Sequence, residues 1–263
     1  TCDPNDIIAT RYRWEKGIFY SGDVQCKGEY PSFSKRLWNE HQVTVDITDQ
    51  DLIDLKETDT LYILGDIIDR GVNSMKILQD MMKRSNVFGI FGNHELMMAD
   101  CFNIITQEIT NEFLDSFDEE KLMKLSDWMN NGAFQTIQEF KKLSKEEQKD
   151  IIEYLMEFTA YEEVEVKGRY YLLVHAGLGD FSEEKSLDEY DVNDFVWKRP
   201  DWDIPYFTDP NKFVVVGHTP TLGINGKPEI FYKNNFIAID CGACFENGTL
   251  ACLCLDTMEE FYV

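Results

Sequence analysis

Short apolar runs that end near Gly, Asp or His recur along the chain, and this pattern predicts buried strands. The runs are Ile18 to Tyr20, Leu61 to Leu64, Val87 to Phe91, Tyr170 to Val174, Phe213 to Val216 and Phe236 to Ile239. Between the second and third runs, Ser74 to Arg84 has apolar residues at helical spacing, and Ser74 is the predicted cap of that helix. The order strand, helix, strand predicts a β-α-β unit and an α/β fold.

Residues 104–160 differ from the rest of the chain because they are dense in Glu, Lys, Leu and Met. Ser144-x-x-Glu147 precedes an apolar helical pattern and is typical of a capping box. We therefore interpret this stretch as a helical insertion.

The C-terminal part reads as strand, turn, strand after Asp240, with Glu246 to Gly248 as a hairpin turn and Leu250 to Leu255 as the returning strand. There is no internal repeat and no Pro/Gly-rich linker, which favours a single domain over residues 1–263. Residues 1–58 show the least clear pattern of secondary structure. Within them, Thr1 to Lys16 and His41 to Lys56 stay unassigned.

The charge balance restricts the partners of the chain. Asp and Glu number 49 against 25 Lys and Arg, so the formal net charge is −24. This charge repels a nucleic-acid backbone and argues against general nucleic-acid binding. It does not exclude a phosphorylated protein or a small phosphoester, because a metal centre and a few arginines reverse the field locally.

Cysteine content and hydropathy favour a cytoplasmic protein. The seven cysteines are an odd set at low density, which is typical of a reducing compartment. No apolar run reaches the ~18 to 20 residues of a membrane span, and the chain does not open with a signal peptide. Cys241-x-x-Cys244 and Cys252-x-Cys254 resemble a zinc knuckle, but Leu253 and Leu255 alternate with the second pair as in a strand. We favour structural cysteines over zinc ligands.

Candidate metal ligands follow the predicted strands. Asp66, Asn93, His175 and His218 each stand just after one of the apolar runs, and three of the four histidines in the chain occupy such positions. Because the carboxyl ends of neighbouring strands converge in an α/β sheet, we expect these four side chains to meet. Carboxylate, amide and imidazole groups are the ligands of a divalent metal centre.

Four blocks around these positions resemble, in order, the signature of the calcineurin-like metallophosphoesterases. They are Gly65-Asp66-Ile67-Ile68-Asp69-Arg70-Gly71, Gly92-Asn93-His94-Glu95, His175-Ala176-Gly177 and Gly217-His218-Thr219. The unbroken Asp69-Arg70-Gly71 and the final Gly-His-Thr-Pro are similar to the bacterial and phage serine/threonine protein phosphatases of this family. The resemblance implies a four-layer αββα sandwich that carries the helical insertion.

The resemblance also implies two divalent metal ions, Mn in the first place, with Fe or Zn as alternatives. Asp66 would bridge the ions, Asn93, His175 and His218 would complete the shell of the second ion, and Asp23 would bind the first. Hydrolysis of phosphomonoesters, above all phosphoserine and phosphothreonine in proteins, would then proceed through a hydroxide that bridges the ions.

The catalytic roles that the resemblance implies fall on residues beside these ligands. His94 would be the general acid that protonates the leaving alcohol, and Asp69 would orient it. Arg70 would bind phosphate oxygens through its guanidinium group, and Arg199 is the candidate for a second phosphate-binding arginine.

The sequence departs from the family pattern at the first metal site. Gln25 stands where the family has a histidine, two residues after Asp23, and the Gly28-Glu29-Tyr30 segment follows two residues late. An amide oxygen is a weaker donor than an imidazole nitrogen, so we expect lower metal affinity at this position. His41 and Cys26 are the alternative ligands that the sequence offers nearby.

Two other functions stay open at this point. One is hydrolysis of dinucleoside polyphosphates by a related branch, whose members tend to lack the second aspartate present here as Asp69. The other is a phosphatase fold kept as a binding or regulatory protein with weakened catalysis, which Gln25 motivates.

Overall fold

The computed structural model describes residues 7–9, 13–15, 18–20, 55–108 and 110–262. Its strands form two five-stranded sheets and one two-stranded ribbon. Nine α-helices and one 3-10 helix lie within these described residues.

The first sheet has the strand order β12-β11-β1-β4-β5. Its strands are β1 (Ile7–Ala9), β4 (Leu61–Ile63), β5 (Val87–Gly89), β11 (Ala251–Cys254) and β12 (Glu259–Tyr262). Strands β1, β4 and β5 are parallel, and β11 and β12 pair antiparallel at the other side. The ribbon pairs β2 (Arg13–Glu15) with β3 (Ile18–Tyr20).

The second sheet has the order β6-β7-β8-β10-β9. Its strands are β6 (Tyr161–Val166), β7 (Arg169–Val174), β8 (Lys212–Val216), β9 (Phe231–Lys233) and β10 (Phe236–Ala238). The three central strands β7, β8 and β10 are parallel, so their carboxyl ends point to the same edge.

The helices are α1 (Ser74–Met81), α2 (Asn93–Asp100), α3 (Phe102–Ile105), α4 (Asn111–Asp115), α5 (Glu119–Asn130), α6 (Phe134–Phe140), α7 (Lys145–Leu155), α8 (Val192–Trp197) and α9 (Thr221–Ile224). Residues 187–189 form the 3-10 helix. Helices α3 to α7 occupy the stretch predicted as a helical insertion. The predicted capping box is also confirmed, since Ser144 Oγ accepts from Glu147 N at 3.2 Å and the Glu147 carboxylate accepts from Ser144 N at 2.8 Å.

Three hydrophobic layers separate the two sheets and the helices. In β7, Tyr171 and Leu173 face the first sheet, whereas Leu172 and Val174 face α8. This alternation follows from the two-residue period of a strand and buries both faces of the sheet. The outer face of the first sheet packs against α1, α2 and the insertion. The chain therefore has the mixed α/β architecture of a four-layer αββα sandwich.

Two sequence predictions need correction. The predicted hairpin around Glu246 to Gly248 is wrong, because the strands before and after it, β10 and β11, belong to different sheets. Ser74 is not the cap of α1: Asn73 holds that position, with φ 69°, and Ser74 is the first helical residue. The strand predicted at Ile18–Tyr20 is confirmed; it pairs with β2, and the neighbour of β4 in the first sheet is β1.

Within the described residues, none of the helices combines the length and the apolar character that a membrane crossing requires.

Candidate metal centre

The centre lies where the carboxyl ends of the two sheets meet. Asp66 follows β4 and Asn93 follows β5 in the first sheet, while His175 and His218 follow β7 and β8 in the second. The ends are joined across the sandwich by a 2.6 Å hydrogen bond from His175 Nδ1 to the carbonyl oxygen of Leu64. The structure thus brings the four side chains together, as the strand-end positions predicted.

The ligand atoms of this group are in mutual contact. His175 Nε2 lies 3.0 Å from Asn93 Oδ1, 3.1 Å from His218 Nδ1 and 3.3 Å from Asp66 Oδ1. His218 Nδ1 lies 2.9 Å from Asn93 Oδ1. Asp66, Asn93 and His175 are buried and His218 is partly exposed, so the group is open on the side of His218.

The donor set fits a divalent cation. A carbonyl oxygen only accepts, so the Leu64 contact fixes a proton on Nδ1 of His175 and leaves a lone pair on Nε2 in the neutral ring. That lone pair faces Asp66 Oδ1 at 3.3 Å, which also carries lone pairs. Two ligands that each lie about 2.1 Å from one ion at right angles are about 3.0 Å apart, which matches this spacing. Within the described part of the chain, Asp66, His175 and His218 can each offer a ligand atom within 4.8 Å of the others.

Glu95 holds the loop that carries Asp66. Its carboxylate accepts backbone N–H bonds from Asp66 (2.8 Å), Ile67 (2.7 Å), Ile68 (3.2 Å) and Gly92 (3.0 Å). Burial, together with the nearby Asp66 carboxylate, raises the pKa of Glu95 to about 7. Four donors on one carboxylate tie the ends of β4 and β5 together, which fixes the position of Asp66.

Gly92 is required by the close approach of these two loops. Its φ of −100° suits any residue, so backbone conformation is not the reason for glycine here. A Cβ at this position would lie 2.5 Å from Asp66 N and 2.6 Å from Asp66 Oδ1. The glycine therefore makes room for the candidate ligand.

His94 and Asp69 form a buried pair beside the ligands. His94 Nδ1 lies 2.7 Å from Asp69 Oδ2, and the side chains are 1% and 0% exposed. Because a carboxylate oxygen accepts, Nδ1 donates, and Nε2 is the ring atom available for proton transfer. Among the described residues, His94 Nε2 has no hydrogen-bond partner. The pair can hold and deliver a proton at a single ring nitrogen.

The two candidate phosphate-binding arginines lie in different settings. Arg70 follows Asp69 directly in a left-handed conformation, φ 55°, and its Nε donates to the carbonyl oxygen of Asn131 at 3.2 Å. Arg199 is exposed, and its Nε donates to Oγ1 of Thr219, the neighbour of His218, at 2.9 Å. Arg199 also lines a cavity of about 570 Å³ with Phe181, Tyr206, Asp180 and Asp201 among its walls.

Several residues of the centre were not predicted from the sequence. They are Glu95, which supports Asp66, and Trp128, Thr136 and Glu139, which contact the segment from Asp69 to Met75. The sequence signal for Glu95 was its place three residues after Gly92, at the start of α2. Trp128, the buried residue of α5, carries a weaker signal, because its partner lies 59 residues away.

The cysteines do not form a metal group in the described part of the chain. Cys101, Cys241, Cys244, Cys252 and Cys254 are buried, and none of them forms a disulfide with another described residue. Burial raises the pKa of the Cys241 thiol to about 12, which disfavours the thiolate that zinc needs. Asp23 and Gln25, the candidate ligands of the first metal, lie outside the described residues, as do His41 and Cys26.

Comparison with curated proteins gives short local matches. The chain is 41% identical over 58 residues to a phospho-cellobiase of Klebsiella oxytoca and 38% identical over 58 residues to a 6-phospho-beta-glucosidase of Dickeya chrysanthemi. Each match covers 22% of this chain, and the chain spans only 12% of the length of either relative.

Solved structures match a larger part of the chain, but at lower sequence identity. A metallophosphoesterase from Sphaerobacter thermophilus is 14% identical with a TM-score of 0.42, over 78% of this chain and 76% of that one. A hypothetical protein from Pyrococcus horikoshii OT3 is 14% identical with a TM-score of 0.40, over 78% of this chain and 73% of that one.

The profile of the calcineurin-like phosphoesterases matches residues 18–241. That range covers most of the 263 residues and includes Asp66, Asn93, His175 and His218. The chain belongs to the calcineurin-like phosphoesterase family.

Proposed function

We propose that the chain is a metal-dependent phosphomonoesterase whose substrates are phosphoserine and phosphothreonine in proteins. The observation that carries this proposal is the convergence of four ligand atoms: Asn93 Oδ1, His218 Nδ1 and Asp66 Oδ1 lie 3.0, 3.1 and 3.3 Å from His175 Nε2. Oxygen and nitrogen donors this close together suit a divalent cation. Family membership makes phosphoester hydrolysis the chemistry that this cation serves.

Asp66, Asn93, His175 and His218 would hold one ion, and Asp66 with Asp23 and Gln25 would hold the second. Carboxylate, amide and imidazole donors together suit Mn²⁺, and they also accommodate Fe and Zn. When bound, the ions supply a water of lowered pKa as nucleophile and neutralise charge on the phosphate.

His94 would protonate the alcohol that leaves. An alkoxide such as that of serine is a poor leaving group, so its departure requires a proton from a positioned acid. Asp69 holds the ring through Nδ1 at 2.7 Å, which leaves Nε2 as the atom that carries this proton. A phosphate leaving group needs far less help, so the buried pair supports phosphomonoesters over dinucleoside polyphosphates.

Arg70 and Arg199 would bind phosphate oxygens on two sides. The cavity of about 570 Å³ beside Arg199 offers room for a side chain next to the phosphorylated residue. Its walls combine Phe181, Tyr206 and two aspartates, a mixed lining that suits a peptide.

The test compares substrates and variants with Mn²⁺ added. We expect turnover of a phosphoserine peptide, with a higher kcat/KM than for a dinucleoside tetraphosphate. The His94→Asn variant is expected to lose ~10²-fold or more in turnover of the peptide and to keep its metal content. The His175→Ala variant is expected to lose metal, as measured by elemental analysis.

Each alternative function predicts a different result. A preference for the dinucleotide would support the polyphosphate hydrolase. Folded, metal-loaded protein that hydrolyses neither substrate would support the binding or regulatory protein. Metal loss in His94→Asn would show that His94 is a ligand and not the acid.

A further inference from the structure

The loop that carries Asp69 and Arg70 is held by the helical insertion. Trp128 Nε1 donates to Asp69 Oδ2 at 2.7 Å, and the backbone N–H of Asp69 donates to Thr136 Oγ1 at 2.9 Å. Trp128 and Thr136 are both fully buried. Helix α5 therefore binds the side chain of Asp69 through a hydrogen bond, and helix α6 binds its backbone.

The same two helices hold the residues on either side of this contact. The backbone N–H of Arg70 donates to the carbonyl oxygen of Gly132 at 3.2 Å, in the turn between α5 and α6. Glu139 of α6 accepts from the backbone N–H groups of Asn73 at 2.6 Å and Met75 at 3.2 Å. Asp69, Arg70 and Asn73 all have φ between 55° and 69°, a left-handed conformation that Asp and Asn tolerate but that is unfavourable for Arg. The contacts to the insertion offset that cost.

Trp128 and His94 contact the same carboxylate oxygen of Asp69. The indole N–H can only donate, and it shares Asp69 Oδ2 with His94 Nδ1, which lies 2.7 Å away. The indole therefore holds Oδ2 in the position at which it meets Nδ1 of His94. Through this contact the carboxylate sets the orientation of the imidazole ring.

We propose that Trp128 and Thr136 are positioning residues that fix the Asp69–His94 pair for protonation of the leaving alcohol, an inference that rests on the proposed function. Neither residue touches the substrate in this scheme. Trp128 sets the position of the carboxylate through Oδ2, and Thr136 sets the backbone from which that carboxylate extends. The helical insertion then contributes to catalysis by positioning the Asp69–His94 pair.

The test uses two substrates that differ in their need for an acid. A phosphoserine peptide releases a poor leaving group, whereas p-nitrophenyl phosphate releases a good one. In Trp128→Phe, which keeps an aromatic ring but removes the donor, we expect kcat for the peptide to fall roughly 10- to 100-fold. We expect kcat for p-nitrophenyl phosphate to stay within about twofold, with KM and metal content unchanged, since a group that acts only through the acid affects only the acid-dependent step.

Thr136→Val is the second variant, because it preserves the shape of the side chain and removes only the acceptor for Asp69. It is expected to move the ratio of the two kcat values in the same direction. Phe140→Leu is the control, since Phe140 is a fully buried residue of the same insertion that is not among the hydrogen-bond partners of Asp69. We expect it to lower stability and to leave the ratio unchanged.

The outcomes separate this inference from the proposed function. If the unmodified chain hydrolyses neither substrate, the proposed function fails and the positioning role fails with it. If the unmodified chain hydrolyses both, an equal fall for both substrates in Trp128→Phe, or an unchanged ratio, overturns the positioning role alone. Should Trp128→Phe not fold, an unchanged ratio in Thr136→Val has the same consequence.

Discussion

Gly92→Ala tests the idea that the metal centre depends on a close approach of two loops. The backbone of Gly92 has φ −100° and ψ 171°, which alanine adopts without strain. The added methyl group would lie 2.5 Å from Asp66 N, 2.6 Å from Asp66 Oδ1 and 2.6 Å from Glu95 Oε2. The substitution therefore perturbs the contact and leaves the local backbone preference nearly unchanged.

The size of the destabilisation follows from the atoms that the new methyl group displaces. Ordinary van der Waals contacts of a carbon atom begin near 3.5 Å, so each of the three contacts must open by about an ångström. Overpacking of this kind costs about 1–3 kcal/mol. Opening the gap also weakens the 2.8 Å hydrogen bond from Asp66 N to the Glu95 carboxylate, and such a bond to a charged group contributes about 1.5–3 kcal/mol. We expect a total destabilisation of about 2–5 kcal/mol.

Urea unfolding followed by circular dichroism measures this change, and elemental analysis measures retained metal. Gly223→Ala is the matched control, because its added methyl group meets nothing within 4 Å. Gly92→Ala is expected to lower both the free energy of unfolding and the metal content, whereas the control, at a helical position where alanine is favourable, lowers neither. A Gly92→Ala protein as stable and as metal-rich as the control would refute the role of this contact.

Three further predictions concern the same centre. Gly132→Ala places a methyl group 2.7 Å from Cγ of Arg70 at a residue with φ 100°, so we expect a higher KM for phosphate esters, measured by steady-state kinetics, and a loss of about 1 kcal/mol of stability from the backbone. Gln25→His replaces an amide oxygen by an imidazole nitrogen, so we expect half-maximal activity at a lower Mn²⁺ concentration, measured by titration of the metal. A chelator should lower the melting temperature, and Mn²⁺ at 100 times its Kd should restore about 2.7 kcal/mol of stability, measured by calorimetry.

Strands β7 and β8 could be predicted from the sequence because both of their faces are buried toward their carboxyl ends. They read as continuous apolar runs, and a polar residue directly after such a run marks a strand end. The predicted β-α-β unit around α1 is also confirmed, since β4 and β5 pair in parallel with the helix between them. Short apolar runs were sufficient to locate these strands.

The edge strands could not be predicted from apolar runs. Strand β6 is the edge of the second sheet and contains three glutamates, which suit an exposed edge but hide the apolar period. The turn near Asn247 was recognised, yet its flanking strands enter different sheets. A turn sequence reports the local reversal of the chain and carries no information about which strand becomes the partner.

The candidate ligands could be predicted from the sequence, whereas the residues that position them could not. This difference has a physical reason. Metal ligands belong to a few residue types and lie at strand ends, so the local sequence is sufficient to identify candidates. The groups that hold them need only supply a donor or an acceptor at the right place, and any part of the chain can do so. Leu64 fixes the ring of His175 from 111 residues away, and Trp128 fixes Asp69 from 59. These long-range contacts position the side chains of the centre, and only the folded structure reveals them.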